Sequence, residues 1–133
     1  MKVAADTHAI VWFLHRSASL SEAARQALRD AEASEGIIVP VGVLFDLWYV
    51  TETTKAFGKP ELARLHHVLL DPVYAIDVAP ADETVFAAWQ RIDRKIIKDP
   101  WDRMIMAGAI ALEVPLVTKD SQITASGLVP TIW

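Results

Sequence analysis

The residues most able to do chemistry in this sequence are four aspartates: Asp6, Asp46, Asp102 and Asp120. Two of them directly follow short apolar runs, at residues 2–5 and 116–119, and a third lies soon after the run at 37–39. The fourth lies in the first turn of an apolar helix. Because parallel strands end at one edge of a sheet, where open α/β sheets bind ligands, we expect the four acids to converge there.

Converging carboxylates repel one another unless a cation lies among them. Oxygen ligands of this kind suit Mg²⁺ or Mn²⁺. The pattern therefore predicts a divalent-metal site that acts on phosphate groups. A fifth acid, Asp99, precedes Asp102 in the segment DPWDR.

Each acid also has a purely structural interpretation. Asp99 is a good N-cap before Pro100, and Asp102 fits the third helical position. Asp6 and Asp120 similarly precede helices. Capping alone does not require every capping residue to lie at one edge of a sheet. The recurrence of acids at that edge therefore favours a metal site. We expect Asp99 mainly to cap and support, and Asp102 to face the metal.

Asp46 and His8 leave two interpretations open. Asp46 lies among apolar residues of a helix, where a buried carboxylate needs a partner, so it is either a ligand or an exposed position. His8 is able to bind phosphate, move a proton or pack. Packing or support is favoured, because hard metals prefer oxygen.

Composition excludes several classes of protein. The chain has 133 residues, 53% of them hydrophobic, which fits one domain spanning residues 1–133 and argues against disorder. Without cysteine there is neither a disulfide framework nor a thiolate zinc site. No membrane span or signal peptide is expected, which fits the cytoplasm. The net charge of −4 argues against broad nucleic-acid coating. Basic residues nevertheless cluster in sequence near the acids: Arg91, Arg94, Lys95, Lys98, Arg103 and Lys119.

Alternating strand and helix patterns predict an α/β fold, a three-layer sandwich around a mostly parallel sheet of about five strands. The expected strands cover 2–5, 37–39, 73–78, 116–118 and 131–132. The expected helices cover 7–14, 43–55, 60–70, 81–97 and 100–112. A capping box at 19–22 is expected to open a further helix that runs to about residue 33, and a short helix is expected after Asp120. The tryptophans Trp12, Trp48 and Trp89 are predicted to be core residues, whereas His66 and His67 are predicted to face solvent.

The whole chain resembles a PIN-domain ribonuclease, and more narrowly a VapC toxin of a type II toxin–antitoxin pair. The first motif, DTHAIVW at 6–12, is similar to the family's DTHALLW opening. The DPWDR segment resembles DPxDR, and LVTKD at 116–120 resembles LVTxD. The turn at 19–21 and the ending at 131–133 are also similar to the family. Their order and spacing together are specific.

This resemblance implies roles for particular residues. Metal-binding acids of the family match Asp6, Asp102 and Asp120, the extra acid of the DPxDR subgroup matches Asp99, and a supporting threonine matches Thr118. We add Thr7, His8 and Arg103 as supporting residues. The family usually has glutamate in a segment SLWE where this chain has Asp46, one methylene shorter, so weaker activity or a changed metal preference is possible.

The resemblance further implies a metal-dependent endoribonuclease that uses one or two Mg²⁺ or Mn²⁺ ions. It implies an RNA substrate, often tRNA or rRNA loops, a cognate antitoxin and a homodimer. Aromatic and apolar residues on the Asp46 helix and its neighbour, Trp48, Tyr49, Leu62 and Leu65, are candidates for these interfaces or for the core.

The main alternative is a PIN-fold module that binds an antitoxin or RNA without cleaving, for which Asp46 is the only support. Phosphotransfer domains with an aspartyl nucleophile are less compatible with the sequence. Receiver domains need paired acids after the first strand, and dehalogenase-type enzymes need a second aspartate at the position of His8.

Overall fold

The computed structural model describes all residues from Met1 to Trp133 and has a five-stranded, fully parallel sheet. The strands are β1 (Val3–Ala5), β2 (Ile37–Pro40), β3 (Ile76–Ala79), β4 (Leu116–Val117) and β5 (Thr131–Ile132). The helices are α1 (Thr7–Leu14), α2 (Glu22–Glu32), α3 (Gly42–Thr53), α4 (Lys59–Leu70), α5 (Glu83–Trp89), α6 (Pro100–Ala111) and α7 (Ser121–Ser126). The predicted three-layer α/β fold is confirmed.

Strand order determines where a ligand crevice forms. The order across the sheet is β3-β2-β1-β4-β5. Connections leaving β1 and β2 run towards one edge, whereas the connection leaving β4 runs towards the other. Because the crossovers are right-handed, connections that run towards opposite edges of the sheet place their helices on opposite faces of it. The carboxyl ends of β1 and β4 therefore flank the topological switch point, where such sheets bind ligands.

The core explains why these strands are central. All residues of β1, β2 and β4 are buried, as parallel strands covered on both faces must be. The helix α6 lies close to β2, where a Cβ added at Gly108 would meet the Cβ of Pro40 at 3.0 Å. This close approach fixes the start of α6, and Asp102 with it, relative to the sheet.

The predicted capping box at Ser19 is wrong. The N-cap of α2 is Ser21, whose hydroxyl accepts a hydrogen bond from the Ala24 amide at 3.1 Å. Residues 17–20 instead form a turn that buries Leu20. Glu22 is left to pair with Arg25 at 3.5 Å.

Two predicted elements were too long. The segment 73–75 is a turn before β3, where the Asp71 carboxylate accepts a hydrogen bond from the Val73 amide and the Val73 side chain is 84% exposed. The predicted helix 81–97 ends at Trp89, because Asp93 forms a local turn by accepting from the Lys95 amide at 2.8 Å. Ile97 is nevertheless buried.

One tryptophan predicted to be a core residue lies at the surface: Trp48 is 48% exposed. Phe86 on α5 is 62% exposed as well. Trp12 and Trp89 are half-buried against the core. His66 and His67 are exposed, as predicted.

Candidate functional site

A polar groove of about 530 Å³ lies at the carboxyl edge of the sheet, and four of the predicted acids line it. They are Asp6, Asp46, Asp102 and Asp120. Only one hydrophobic residue, Ile123, contributes to the lining. The convergence expected from the sequence is therefore present in the structure.

Three of the five predicted metal-binding acids are helix N-caps, and each uses one carboxylate oxygen for capping. Asp6 Oδ1 accepts from the Ala9 amide at 2.9 Å. Asp99 Oδ1 accepts from the Trp101 and Asp102 amides at 2.8 and 3.1 Å. Asp120 Oδ1 accepts from the amides of Gln122 and Ile123. The second oxygens of Asp99 and Asp120 make no hydrogen bond within the protein, so capping leaves them available to a ligand.

Asp46 is held differently, since it lies in the first half of α3. Its Oδ2 accepts a hydrogen bond of 2.6 Å from the Thr7 hydroxyl, and Thr7 is itself buried. Burial raises the pKa of Asp46, the Thr7 hydrogen bond lowers it, and repulsion from Asp99 raises it. The bond connects the starts of α1 and α3 across the groove and gives Thr7 a supporting position.

Asp102 is the groove acid whose pKa is raised by the largest number of neighbouring carboxylates. Desolvation by burial, followed by repulsion from Asp99, Asp46, Asp120 and Asp6 in that order, raises its pKa to about 7. No hydrogen-bond donor of the protein satisfies its carboxylate oxygens. All five acids therefore contribute to one concentration of negative charge with Asp102 near its centre.

Asp6 and Thr118 form the floor beside β1 and β4. Burial raises the pKa of Asp6, and the Thr118 hydroxyl and the Ala9 amide oppose this effect. Thr118 is completely buried, and its hydroxyl accepts a hydrogen bond from the Asp120 amide at 3.1 Å. The Thr118 hydroxyl thus contacts two groove acids, Asp6 at its carboxylate and Asp120 at its backbone amide.

The atoms that line the groove are of the type that a hard divalent cation prefers. The groove offers carboxylate oxygens that lack partners, and a cation would relieve the repulsion that raises the pKa of Asp102. As the side chains stand, no group of three or more acidic or histidine side chains is arranged to hold an ion.

Positive charge at the groove comes from fewer residues than the sequence indicated. Lys119 and His8 line it, but the other basic residues noted in the sequence do not. Arg103 is not brought to the acids: its guanidinium lies over the Trp89 ring, 4.2 Å from the centroid, and its buried Nε has no hydrogen-bond partner.

Sequence reasoning missed two polar lining residues, Ser121 and Gln122. Both belong to the first turn of α7, directly after Asp120. The signal was available, since a helix that begins at a site acid presents its first-turn side chains and amides to the same ligand.

Comparison with known proteins gives a family and a fold. The sequence matches the PIN domain family over residues 3–126. No curated protein matches the chain. No helix of the structure combines the length and apolar character that crossing a membrane would need.

The fold is similar to those of chains in solved toxin–antitoxin complexes. One belongs to VapBC2 from Rickettsia felis bound to a promoter DNA fragment, with a TM-score of 0.72 and 15% identity, covering 98% of this chain and 97% of that chain. Another belongs to DNA-bound VapBC from Salmonella typhimurium, with a TM-score of 0.69 and 17% identity, covering 98% and 96%. A third belongs to FitAcB from Neisseria gonorrhoeae, with a TM-score of 0.65 and 21% identity, covering 98% and 96%.

Proposed function

The chain belongs to the PIN-domain family, and we propose that it is a metal-dependent endoribonuclease that acts as the toxin of a type II toxin–antitoxin pair. The observation that carries the proposal is the convergence of Asp6, Asp46, Asp102 and Asp120 on one groove at the switch point of the sheet. Hydrolysis of a phosphodiester needs no nucleophilic side chain when carboxylates hold Mg²⁺ or Mn²⁺ there.

Asp6, Asp102 and Asp120 would hold the ion, with Asp46 and Asp99 completing the acidic wall. The bound ion would supply hydroxide near neutral pH and stabilise charge on the phosphate and leaving oxygen. The protein orients the carboxylates: the caps fix Asp6, Asp99 and Asp120, which reduces the rotational freedom lost on binding.

Other residues of the groove have roles in binding the substrate. Lys119 provides the cationic group of the lining and His8 offers ring nitrogens, so both are placed to contact phosphates near the cleaved bond. The amides in the first turn of α7 are already used by Asp120, and Ser121 and Gln122 offer side-chain hydrogen bonds instead. An RNA substrate, such as a tRNA or rRNA loop, presents unpaired nucleotides that fit an open groove.

The proposed partners are a cognate antitoxin and a second copy of this chain. Support comes from the fold, which resembles chains of VapBC and FitAcB complexes. Of the four residues considered for interfaces, Trp48 and Tyr49 are about half exposed, whereas Leu62 and Leu65 are buried. Only the first two are therefore available to a partner.

A second candidate function is a PIN-fold module that binds RNA or an antitoxin without cleaving. The observation that favours it is Asp46, a short acid whose Oδ2 is tied to Thr7. If that bond keeps the carboxylate from the ion, the site lacks one ligand.

The test is incubation of the purified, antitoxin-free protein with total RNA in Mg²⁺, Mn²⁺ or EDTA. We expect discrete fragments that require metal and disappear in Asp6→Asn, while the exposed-acid control Asp77→Asn cleaves as the wild type does. Greater cleavage by Asp46→Glu would show that the short acid weakens the site. Absence of cleavage by every version, with RNA of the correct host, would support the binding module.

A further inference from the structure

Two aromatic rings stack beside the acidic groove, one from each of the helices that carry Asp46 and Asp102. The Phe45 and Trp101 rings are nearly parallel, with an interplanar angle of 9° and centroids 5.8 Å apart. Each ring immediately precedes a groove acid in the chain. The position of the stack relative to the acids is therefore fixed by the first turns of α3 and α6.

The stack is not part of the hydrophobic core. Phe45 is 52% exposed even though the Trp101 ring is stacked with it. Trp48 and Tyr49, three and four residues further along α3, are 48% and 52% exposed and extend the same side of the helix. Exposed aromatic surface of this extent indicates a binding partner rather than a packing residue.

A second group of aromatic rings lies near His8 and Lys119, which both line the groove. The rings of His8 and Trp12 are 5.1 Å apart, Trp133 lies 5.9 Å from Trp12, and the Lys119 amine lies 5.8 Å from the Trp12 centroid. Aromatic rings near an acidic centre of this kind suit single-stranded RNA, because bases stack on aromatic side chains only when they are unpaired.

We propose that the Phe45–Trp101 stack is a platform for one unpaired base of the RNA, next to the phosphate that the acids would engage through the ion they hold. The proposal rests on the proposed function for its substrate class. Stacking tolerates every base, since each has a flat face, so the platform selects unpaired over paired RNA rather than one sequence. Phe45 presents the outer face, and Trp101 backs it from α6.

The experiment measures binding separately from cleavage. A fluorescently labelled single-stranded RNA decamer of mixed sequence is titrated in Ca²⁺, with anisotropy as the readout, and its cleavage is measured in Mg²⁺ as single-turnover rate against protein concentration. Phe45→Leu removes the ring but keeps an apolar side chain, and Phe45→Tyr restores a ring. Phe86→Ala is the control, because Phe86 is 62% exposed on α5 and, unlike Phe45, does not neighbour a groove acid in the chain.

We expect Phe45→Leu to weaken decamer binding about 10-fold or more, the range of a lost base–aromatic stack, while Phe45→Tyr and Phe86→Ala bind as the wild type does. The half-saturating concentration for cleavage should rise by a similar factor with the maximal rate within about threefold. A decamer carrying abasic positions should bind the wild type as weakly as the intact decamer binds Phe45→Leu.

The platform is refuted if Phe45→Leu binds the decamer normally, if the abasic decamer binds as well as the intact one, or if the wild type does not bind single-stranded RNA. Loss of a co-expressed antitoxin by Phe45→Leu, with RNA binding unchanged, would assign the rings to a protein contact instead. Failure of the wild type to cleave, with ring-dependent binding retained, would refute the nuclease and leave the platform standing.

Discussion

Replacing Asp102 by asparagine should stabilise the protein in the absence of metal. The Asp102 carboxylate is half-buried, has no hydrogen-bond donor and lies among four other acids, which together raise its pKa to about 7. Asparagine has nearly the same shape and no charge. The variant therefore removes the repulsion while leaving the α6 cap at Asp99 intact.

The pKa gives both the sign and the size of the effect. Because the pKa is raised from 3.8 to about 7, the folded protein binds this proton more tightly than the unfolded chain does. The associated stability is complete below about pH 4 and is lost as the pH rises to about 7. One pKa unit corresponds to about 1.4 kcal/mol, which sets an upper bound of about 4 kcal/mol. Solvent screening at this partly exposed groove reduces our expectation to about 1 to 2 kcal/mol.

The assay is urea unfolding in EDTA at pH 4.5, 6 and 8, with Asp77→Asn as the control for loss of an exposed acid. The difference between Asp102→Asn and wild type should be near zero at pH 4.5, grow through pH 6 and reach about 1 to 2 kcal/mol at pH 8. Added Mg²⁺ should reverse the order at pH 8, since it binds the wild-type site more tightly. A difference independent of pH, or an Asp102→Asn protein less stable than wild type at pH 8, would refute the electrostatic account.

Three further substitutions test the supports of the groove by urea unfolding and Mg²⁺ titration. Thr118→Val keeps the shape of a fully buried side chain but leaves the Asp120 amide without its acceptor. We therefore expect the free energy of unfolding to fall by about 1 to 2 kcal/mol and Mg²⁺ binding to weaken. The control Thr118→Ser should retain Mg²⁺ binding. Thr7→Val removes the hydroxyl that donates to Asp46, so we expect the free energy of unfolding to fall by about 1 kcal/mol. The pKa of Asp46 should rise further, so Mg²⁺ binding should begin at a higher pH. An unchanged starting pH would contradict this. Arg103→Met removes the guanidinium over Trp89, with its buried Nε, but no contact in the groove. The affinity for Mg²⁺ should therefore stay within about twofold, and the free energy of unfolding should change by less than about 1 kcal/mol. A large loss of Mg²⁺ affinity would show that Arg103 acts at the groove.

The sheet and its acids were predictable because two independent patterns agree. Continuous apolar runs identify buried parallel strands, and Asp6 and Asp120, which directly follow two of them, are also good helix N-caps. Both patterns depend on neighbouring residues only. The structure accordingly places Asp6, Asp99 and Asp120 as caps, and four acids line one groove.

Other features depend on distant residues and were not predictable from local sequence. Helical periodicity shows that Phe45, Trp48 and Tyr49 share one side of α3, but not that this side lacks a covering element. Arg103 illustrates the same limit, since its adjacency to Asp102 suggested the site, whereas the turn at Asp93 ends α5 where Trp89 receives the guanidinium.

Capping and the proposed metal binding are compatible in this groove rather than competing explanations. A cap uses one oxygen and places the carboxylate at the positive end of a helix dipole, which offsets part of its charge. Asp6, Asp99 and Asp120 also gain hydrogen bonds from backbone amides. Asp102 lies in the first turn of α6 but accepts no hydrogen bond, and four carboxylates raise its pKa. The groove therefore combines three carboxylates held by capping with one that no donor satisfies, and a cation would stabilise that carboxylate most.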